Sequence, residues 1–434
     1  MLPFAISKRA ICHSVFGRCS SRKRISLWLR RIVDTSCNGR WIFDLPFLSR
    51  LTSWAQTRKN ALIVAAIVAI IFSIVTKLQA TTINNYVWLA DAWLHGHLWL
   101  PHFPGSWIDA MPYHGRAYIV EAPVPALLLL PFVAVFGFST NQTILGIVLV
   151  AIAAYGAWRT GEYLKLRGVT LLAMTAFLVF GTSVAMCAIE GGVWFVAHLS
   201  AVAFTFLALA ELSGSGIGWK IAMWAALAAG SRNPLLLALP GYALLIFLKD
   251  ARGGQLRSFL GILAPVGVLF CAYNLARWNT LNDIGFSLWY RVMDPRAQSG
   301  RPPFGLDNLA MQVNAFFLHG PLLTSDFPYV RAEKFGLSLA WTSPALVLSI
   351  FARSPKVDVL IFWALAIATA APAFLYYDLG GVQLGMRHAL DFAPFLIVLL
   401  MFAIRNTLVE RVFWLLALYS ALFGAYELVL WYQR

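Results

Sequence analysis

The chain has 434 residues, 60% of them hydrophobic and only 12% charged, with a mean hydropathy of +0.71. Soluble globular proteins are about half apolar and about one-quarter charged, so this composition excludes a water-soluble enzyme, a disordered chain and a disulfide scaffold. It marks a multi-spanning membrane protein. The net charge of +15 is unevenly placed: residues 1–60 hold 12 Lys/Arg against two Asp, and the rest hold 22 against 17 acids. The basic excess abuts an apolar run, so it reads as an orientation signal rather than a nucleic-acid surface. Cys12, Cys19 and Cys37 lie in the basic segment, and Cys187 and Cys271 in apolar runs. No CxxC occurs, so neither a disulfide framework nor a zinc site is signalled.

In chain order, residues 1–60 form a basic segment expected on the cytoplasmic side. Stretches 24–33 and 41–54 mix aliphatic residues, Trp and Arg, which suits interfacial helices on an anionic membrane surface. A disordered tail accounts for them equally well. From residue 61 onward, runs approach the ~20 apolar residues that a spanning helix needs. They are 61–78, 141–158, 169–187, 193–212, 259–276, 337–351, 357–376, 389–404 and 412–431. The run 219–248 is long enough for two short helices, broken at Ser231-Arg232-Asn233-Pro234, since proline removes a donor and disfavours helix before it. The expectation is therefore an all-α polytopic membrane protein of about 11 transmembrane helices. Run 122–138 is apolar but carries Pro123, Pro125 and Pro131. Counting it as a span would move Arg159, Lys165 and Arg167 to the outer side, against the positive-inside rule. It reads instead as a juxtamembrane helix. With the N-terminus inside, 23 of the 34 basic residues fall on inner segments.

Two outer loops, 79–121 and 277–336, are far longer than the ~12–15 residues of a plain connector. Both are rich in aromatics, unlike disordered segments, and are expected to fold into the working face. The first loop and its juxtamembrane helix occupy 79–140 of a 61–434 transmembrane domain. No internal repeat is visible.

The first loop carries the candidate chemistry. Asp91 stands in Trp88-Leu89-Ala90-Asp91-Ala92-Trp93, beside the membrane boundary. Partial desolvation there favours the neutral carboxyl and suits a general base. A helix-capping or ion-paired Asp is the alternative. Further on come Asp109, Tyr113-His114-Gly115-Arg116 and Glu121. Arg232 and Arg387 each sit at the outer end of a span, where a charge is costly and functional by default, unless it snorkels to headgroups. His95, His97, His102 and His114 share the loop. They could ligate a divalent metal with nearby carboxylates, but interfacial histidines that merely hydrogen-bond are commoner. His198, inside a span, reads as a satisfied bundle polar group. Glu190 precedes Gly191-Gly192 at a helix junction and could position a sugar hydroxyl. His388 could contact phosphate or acceptor. No Walker, GxGxxG or Asp-x-Asp nucleotide-sugar pattern is present.

An ordered set of motifs then stands out. It begins with Asp91-Ala92-x-Leu94-x-Gly96, Gly115-Arg116-x-Tyr118 and Pro123-x-Pro125-Ala126-Leu127 running to Pro131-Phe132 and Phe136-Gly137. It continues with Ser231-Arg232-Asn233-Pro234, Thr342-Ser343-Pro344 and Gly385-Met386-Arg387-His388-Ala389-Leu390-Asp391-Phe392. Over roughly residues 60–430 it resembles the bacterial GT-C membrane glycosyltransferases, in particular the family 39-like group of protein mannosyltransferases and aminoarabinose transferases. The resemblance implies a GT-C-like bundle. It also implies an inverting transfer of a sugar from a polyprenyl-phosphate donor to a glycan, lipid or protein acceptor, at a periplasmic active site in the inner (plasma) membrane. It implies a base in the first outer loop: Asp91, with Asp109 and Glu121 behind it. Asn84-Asn85 stand about where the family has an Asp-Glu pair. Independently of the family, a lipid-phosphate donor calls for cations on the leaving phosphate, with Arg116, Arg232 and Arg387 as candidates, and for sugar or acceptor contacts, with His95, Glu190 and His388 as candidates. No nucleic-acid partner and no certain cofactor are implied. The competing readings are a flippase or transporter of lipid-linked sugars, which would place charges at mid-membrane and keep outer loops short, and a non-catalytic envelope-assembly protein.

Overall fold

The computed structural model describes residues 58–102, 109–250, 252–327, 329–333 and 335–432. The basic segment and its two proposed interfacial helices lie outside the described residues. A compact unit running from Arg50 to the C-terminus holds everything described below.

Fourteen labels suffice for the helices that matter. They are α1 (Arg58–Thr76), α2 (Asn85–Leu94), α3 (Val124–Phe136), α4 (Gln142–Tyr163), α5 (Gly168–Phe180), α6 (Val184–Glu190) and α7 (Val193–Ser213) in the first half. The second half has α8 (Gly218–Ala229), α9 (Leu239–Lys249), α10 (Gly254–Trp278), α11 (Gly285–Met293), α12 (Lys356–Leu375), α13 (Ala393–Ala403) and α14 (Thr407–Tyr432). The 3-10 helices at Asn233–Ala238, Pro344–Phe351 and Arg387–Asp391 intervene between them. Strands β1 (Ala110–Tyr113) and β2 (Arg116–Ile119) form one hairpin, and β3 (Leu322–Leu323) pairs with β4 (Val330–Arg331) in another.

Among the described residues six helices, α1, α4, α7, α10, α12 and α14, are long and apolar enough to cross a membrane. The pair α5–α6 makes a seventh if its 50° bend is taken within one span. The bend falls at Gly181-Thr182-Ser183, and Thr182 Oγ1 donates to Leu178 O at 2.6 Å, a hydroxyl inserted into the helical ladder that kinks it. The protein is thus helical and membrane-embedded. The other expected spans fold as shorter pieces: α8, the Asn233–Lys249 pair of helices, the turns from Leu339 to Phe351, and α13.

α7 is the central post. Of its apolar window, 89% is buried, against 11% for α10, whose Leu260, Val268 and Leu269 face outward. An apolar helix with most of its surface exposed needs lipid around it. α7 packs on α4 and α8, α4 on α1, and α8 on α10. Close approach depends on small residues: a Cβ on Gly156 of α4 would lie 2.9 Å from the Phe206 backbone of α7. In lipid, packing of this kind replaces the missing hydrophobic drive between helices.

One end of the bundle collects the C-terminal ends of α8, α10 and α12 with the N-terminal ends of α4, α7 and α13. Both long loops fold over this end. α2 packs on α3. The second loop is tied to the end of α12, where Gly305 N donates to Leu375 O at 2.9 Å and Gln312 Nε2 to Tyr376 O at 2.9 Å.

Candidate functional site

The β1–β2 hairpin builds the first half of a buried polar cluster. Its turn, His114-Gly115, has φ of 48° and 73°. Both values are positive, as the two-residue turn matching the strand twist requires, and Gly takes the second position without steric cost. The register pairs Ala110 with Ile119, and Val120 N then donates to Asp109 O at 3.2 Å. Asp109 and Glu121, twelve residues apart in sequence, become close enough for the charge of one to act on the carboxyl of the other. Trp194, at the start of α7, donates its indole N–H to Asp109 Oδ2 at 2.6 Å. Asn85 Nδ2 donates to Glu121 Oε1 at 3.2 Å, so one of the two Asn in the first loop serves the carboxyl pair directly.

Glu121 is 3% exposed. Burial pushes its carboxyl well above the usual range, and the neighbouring Asp109 charge pushes it further, with the Arg277 cation opposing. Burial also raises Asp109, against the hydrogen bond from Trp194. Two neighbouring carboxyls in a low dielectric cannot both ionise cheaply, which is why the Asp109 charge favours the protonated form of Glu121.

The second half comes from the helix breaks. Arg232 is extended, with φ −148°, where α8 ends before Pro234. Its guanidinium forks onto Asp391, Nε to Oδ1 at 3.1 Å and Nη2 to Oδ2 at 2.7 Å. Asp391 is fully buried and also lies 3.3 Å from His198 Nδ1 of α7. His198 is therefore part of this cluster. His388 is buried with its ring 5.6 Å from that of His198 and 6.2 Å from Tyr376. Arg387 is 6% exposed. Its guanidinium sits 5.9 Å over the Trp194 ring and 5.3 Å over Phe195. Trp194 thus touches Asp109 through its N–H and Arg387 through its face. Among the described residues Arg387 makes no ion pair, and its Nε has no hydrogen-bond partner. A buried guanidinium with unused donors is expensive unless an anion completes it.

The remaining candidates lie around or away from this cluster. Asp91 is five residues after Tyr86 on α2, about 140° round the helix from that buried side chain. It pairs with His95 at 3.6 Å, on a half-exposed face. Arg116 is exposed and stacks 3.7 Å over Trp99, and the His97 ring is 4.7 Å from the same Trp99. Glu190 is half-buried at the end of α6, beside left-handed Gly191. No group of three or more His, Cys, Asp or Glu able to hold a metal gathers among the described residues.

The site also includes residues that sequence reasoning passed over. Asp391 lay inside a quoted motif, but its partner 159 residues away was not visible. Arg277 reads as a loop residue in sequence. In the fold it is 2% exposed at the end of α10, donates to Ile119 O and stacks on Tyr273 and Trp278 at 4.7 and 4.3 Å. The His114-Gly115 turn was the one legible signal that could have joined Asp109 to Glu121.

No protein-family model, curated protein or solved structure matches this chain.

Proposed function

We propose that the protein is an inverting GT-C-type membrane glycosyltransferase. It takes a sugar from a polyprenyl-phosphate donor and passes it to an envelope glycan, lipid or protein acceptor on the outer side of the inner membrane. The observation that carries this reading is the Asp109–Trp194–Arg387 arrangement: a desolvated carboxyl pair and an uncompensated buried guanidinium flank one indole. Such a site supplies the two groups that inverting transfer needs. Asp109 takes the proton of the acceptor hydroxyl as its oxygen bonds to the anomeric carbon, and the bond from that carbon to the phosphate oxygen breaks. Arg387 receives the charge that grows on the departing polyprenyl phosphate. Arg232 is already neutralised by Asp391 and holds the wall of the site in place. Asp91, paired with His95 and turned away, is not the base in this scheme.

The chain path supports an eleven-pass bundle. Counting α5–α6, the Asn233–Lys249 pair and the Leu339–Phe351 turns as one pass each, with α8 and α13, the chain alternates between the two ends and places both long loops on the site end. A cleft lined by Met186, Leu384, Gly385, Phe423 and Leu428 lies next to the Arg387 segment and suits an apolar donor chain.

The test is incubation of the purified full chain with a panel of polyprenyl-phosphate sugars, reading polyprenyl phosphate release. Release with one donor, lost about 10²- to 10⁴-fold in Asp109→Asn and kept in Asp91→Asn, is expected. No release with any donor, alongside donor flipping in proteoliposomes, overturns it in favour of transport.

A further inference from the structure

The opposite end of the same helices carries a second feature. A cavity of about 320 Å³ opens where the Pro344–Phe351 turn, α13 and α14 meet. Its lining combines Phe351, Phe402 and Val409 with Arg353, Ser354, Arg405 and Asn406. The two arginines are exposed. Among the described residues neither forms an ion pair. The nearby acids are engaged elsewhere: Glu410 accepts from Thr170 Oγ1 at 2.5 Å, and Asp358 acts on Lys249. Arg405 stacks 5.1 Å over Phe402 and reaches Leu164 O at 3.4 Å, which fixes its guanidinium at the cavity edge. Asn406 Oδ1 accepts from Leu408 N at 2.9 Å and so caps the 26-residue α14, whose N-terminus adds partial positive charge to the same rim.

We infer that this cavity is a binding site for the headgroup of an anionic phospholipid. The ligand chemistry follows from the lining. Two unpaired guanidiniums and a serine hydroxyl match a phosphodiester, and the aromatic and aliphatic walls match the glycerol and proximal acyl carbons below it. A free inorganic anion would use the arginines but leave Phe351, Phe402 and Val409 without a partner. α13 links the two ends of the molecule: it begins beside Asp391 and ends at the cavity. Lipid bound there braces the helix that carries the polar cluster. The inference rests on the membrane-embedded fold and is independent of the glycosyl-transfer reading.

Native mass spectrometry of the full chain, titrated with phosphatidylglycerol and with phosphatidylcholine, tests it. At about fivefold per arginine near a membrane surface, Arg353→Ala/Arg405→Ala is expected to lose about 25-fold in phosphatidylglycerol affinity. Arg353→Lys/Arg405→Lys should lose less, and Lys165→Ala/Arg167→Ala, on the same end but outside the cavity, should lose nothing. Equal loss in the Lys165/Arg167 variant overturns the site in favour of a diffuse basic surface. Displacement of the lipid by equimolar inorganic phosphate overturns it in favour of a free-anion site. The unmodified protein also decides: binding of phosphatidylcholine as tightly as phosphatidylglycerol sinks the inference without any variant.

Discussion

Trp194 is the residue on which the site turns. Its N–H holds Asp109 and its ring carries Arg387, so Trp194→Phe keeps an aromatic face, though a smaller one, and removes the hydrogen bond. Loss of that bond leaves Asp109 more basic and less well placed. Transfer is expected to fall about tenfold, with the acid limb of the pH–rate profile moving upward, and stopped-time assays across pH read both. Glu121 adds a stability signature. Burial raises its folded-state pKa above the unfolded value, so its contribution is fully present at low pH and is lost as pH rises through the raised pKa. Glu121→Gln should remove that loss: thermal unfolding in detergent from about pH 5 to 9 should be flatter for the variant than for the wild type. An unchanged slope would mean that Glu121 is not the protonated partner. The residue types were legible in sequence, and Asp109, Glu121, Arg232 and Arg387 were all chosen there. Their grouping was not, and Asp91 shows why. Its neighbours in sequence are aromatic, but the turn of α2 carries it away from the buried face.

At the scale of elements, the site is made of helix ends and one hairpin. The Arg232–Asp391 fork joins the end of α8 to the segment before α13. Asp391→Ala leaves a buried guanidinium unpaired and should cost about 3–5 kcal/mol, measurable as a large drop in Tm. Replacing both partners by apolar residues of similar volume should recover part of that loss, because the desolvation penalty goes with the charges. Gly191 does similar work at the α6–α7 junction. Its φ is +60°, and a Cβ there would lie 2.6 Å from Thr143 Oγ1 and 2.9 Å from the Thr143 backbone. Gly191→Ala should shift the start of α7 and with it Trp194, lowering transfer more than it lowers Tm. The long apolar helices were readable from their runs, since a span needs little beyond length and hydropathy. The short ones at 218–249 and 339–351 were readable only as interrupted runs. Whether such a piece crosses a bilayer depends on what packs around it.

For the whole molecule, the polar cluster and one set of basic residues stand at opposite ends. The polar cluster and both long loops cover one end, and Lys165, Arg353, Lys356, Arg405 and Arg411 lie at the other. With the basic segment 1–60 added, we propose on the positive-inside rule that the cluster faces the outer side. Single cysteines at Arg116 and Arg405, in a chain freed of its native cysteines, should be labelled by a membrane-impermeant maleimide from opposite sides of oriented vesicles. Labelling of both from one side would refute the topology. Composition and hydropathy by themselves determined that the chain lives in a membrane and which of its runs are long and apolar enough to cross it. These are properties of transfer free energy, summed along the chain without regard to neighbours. Only the tertiary structure decided that Asp109 meets Glu121, that Asp391 neutralises Arg232, and that Arg387 is left with a charge to share. Those outcomes depend on contacts between residues up to 159 positions apart, which no local pattern encodes.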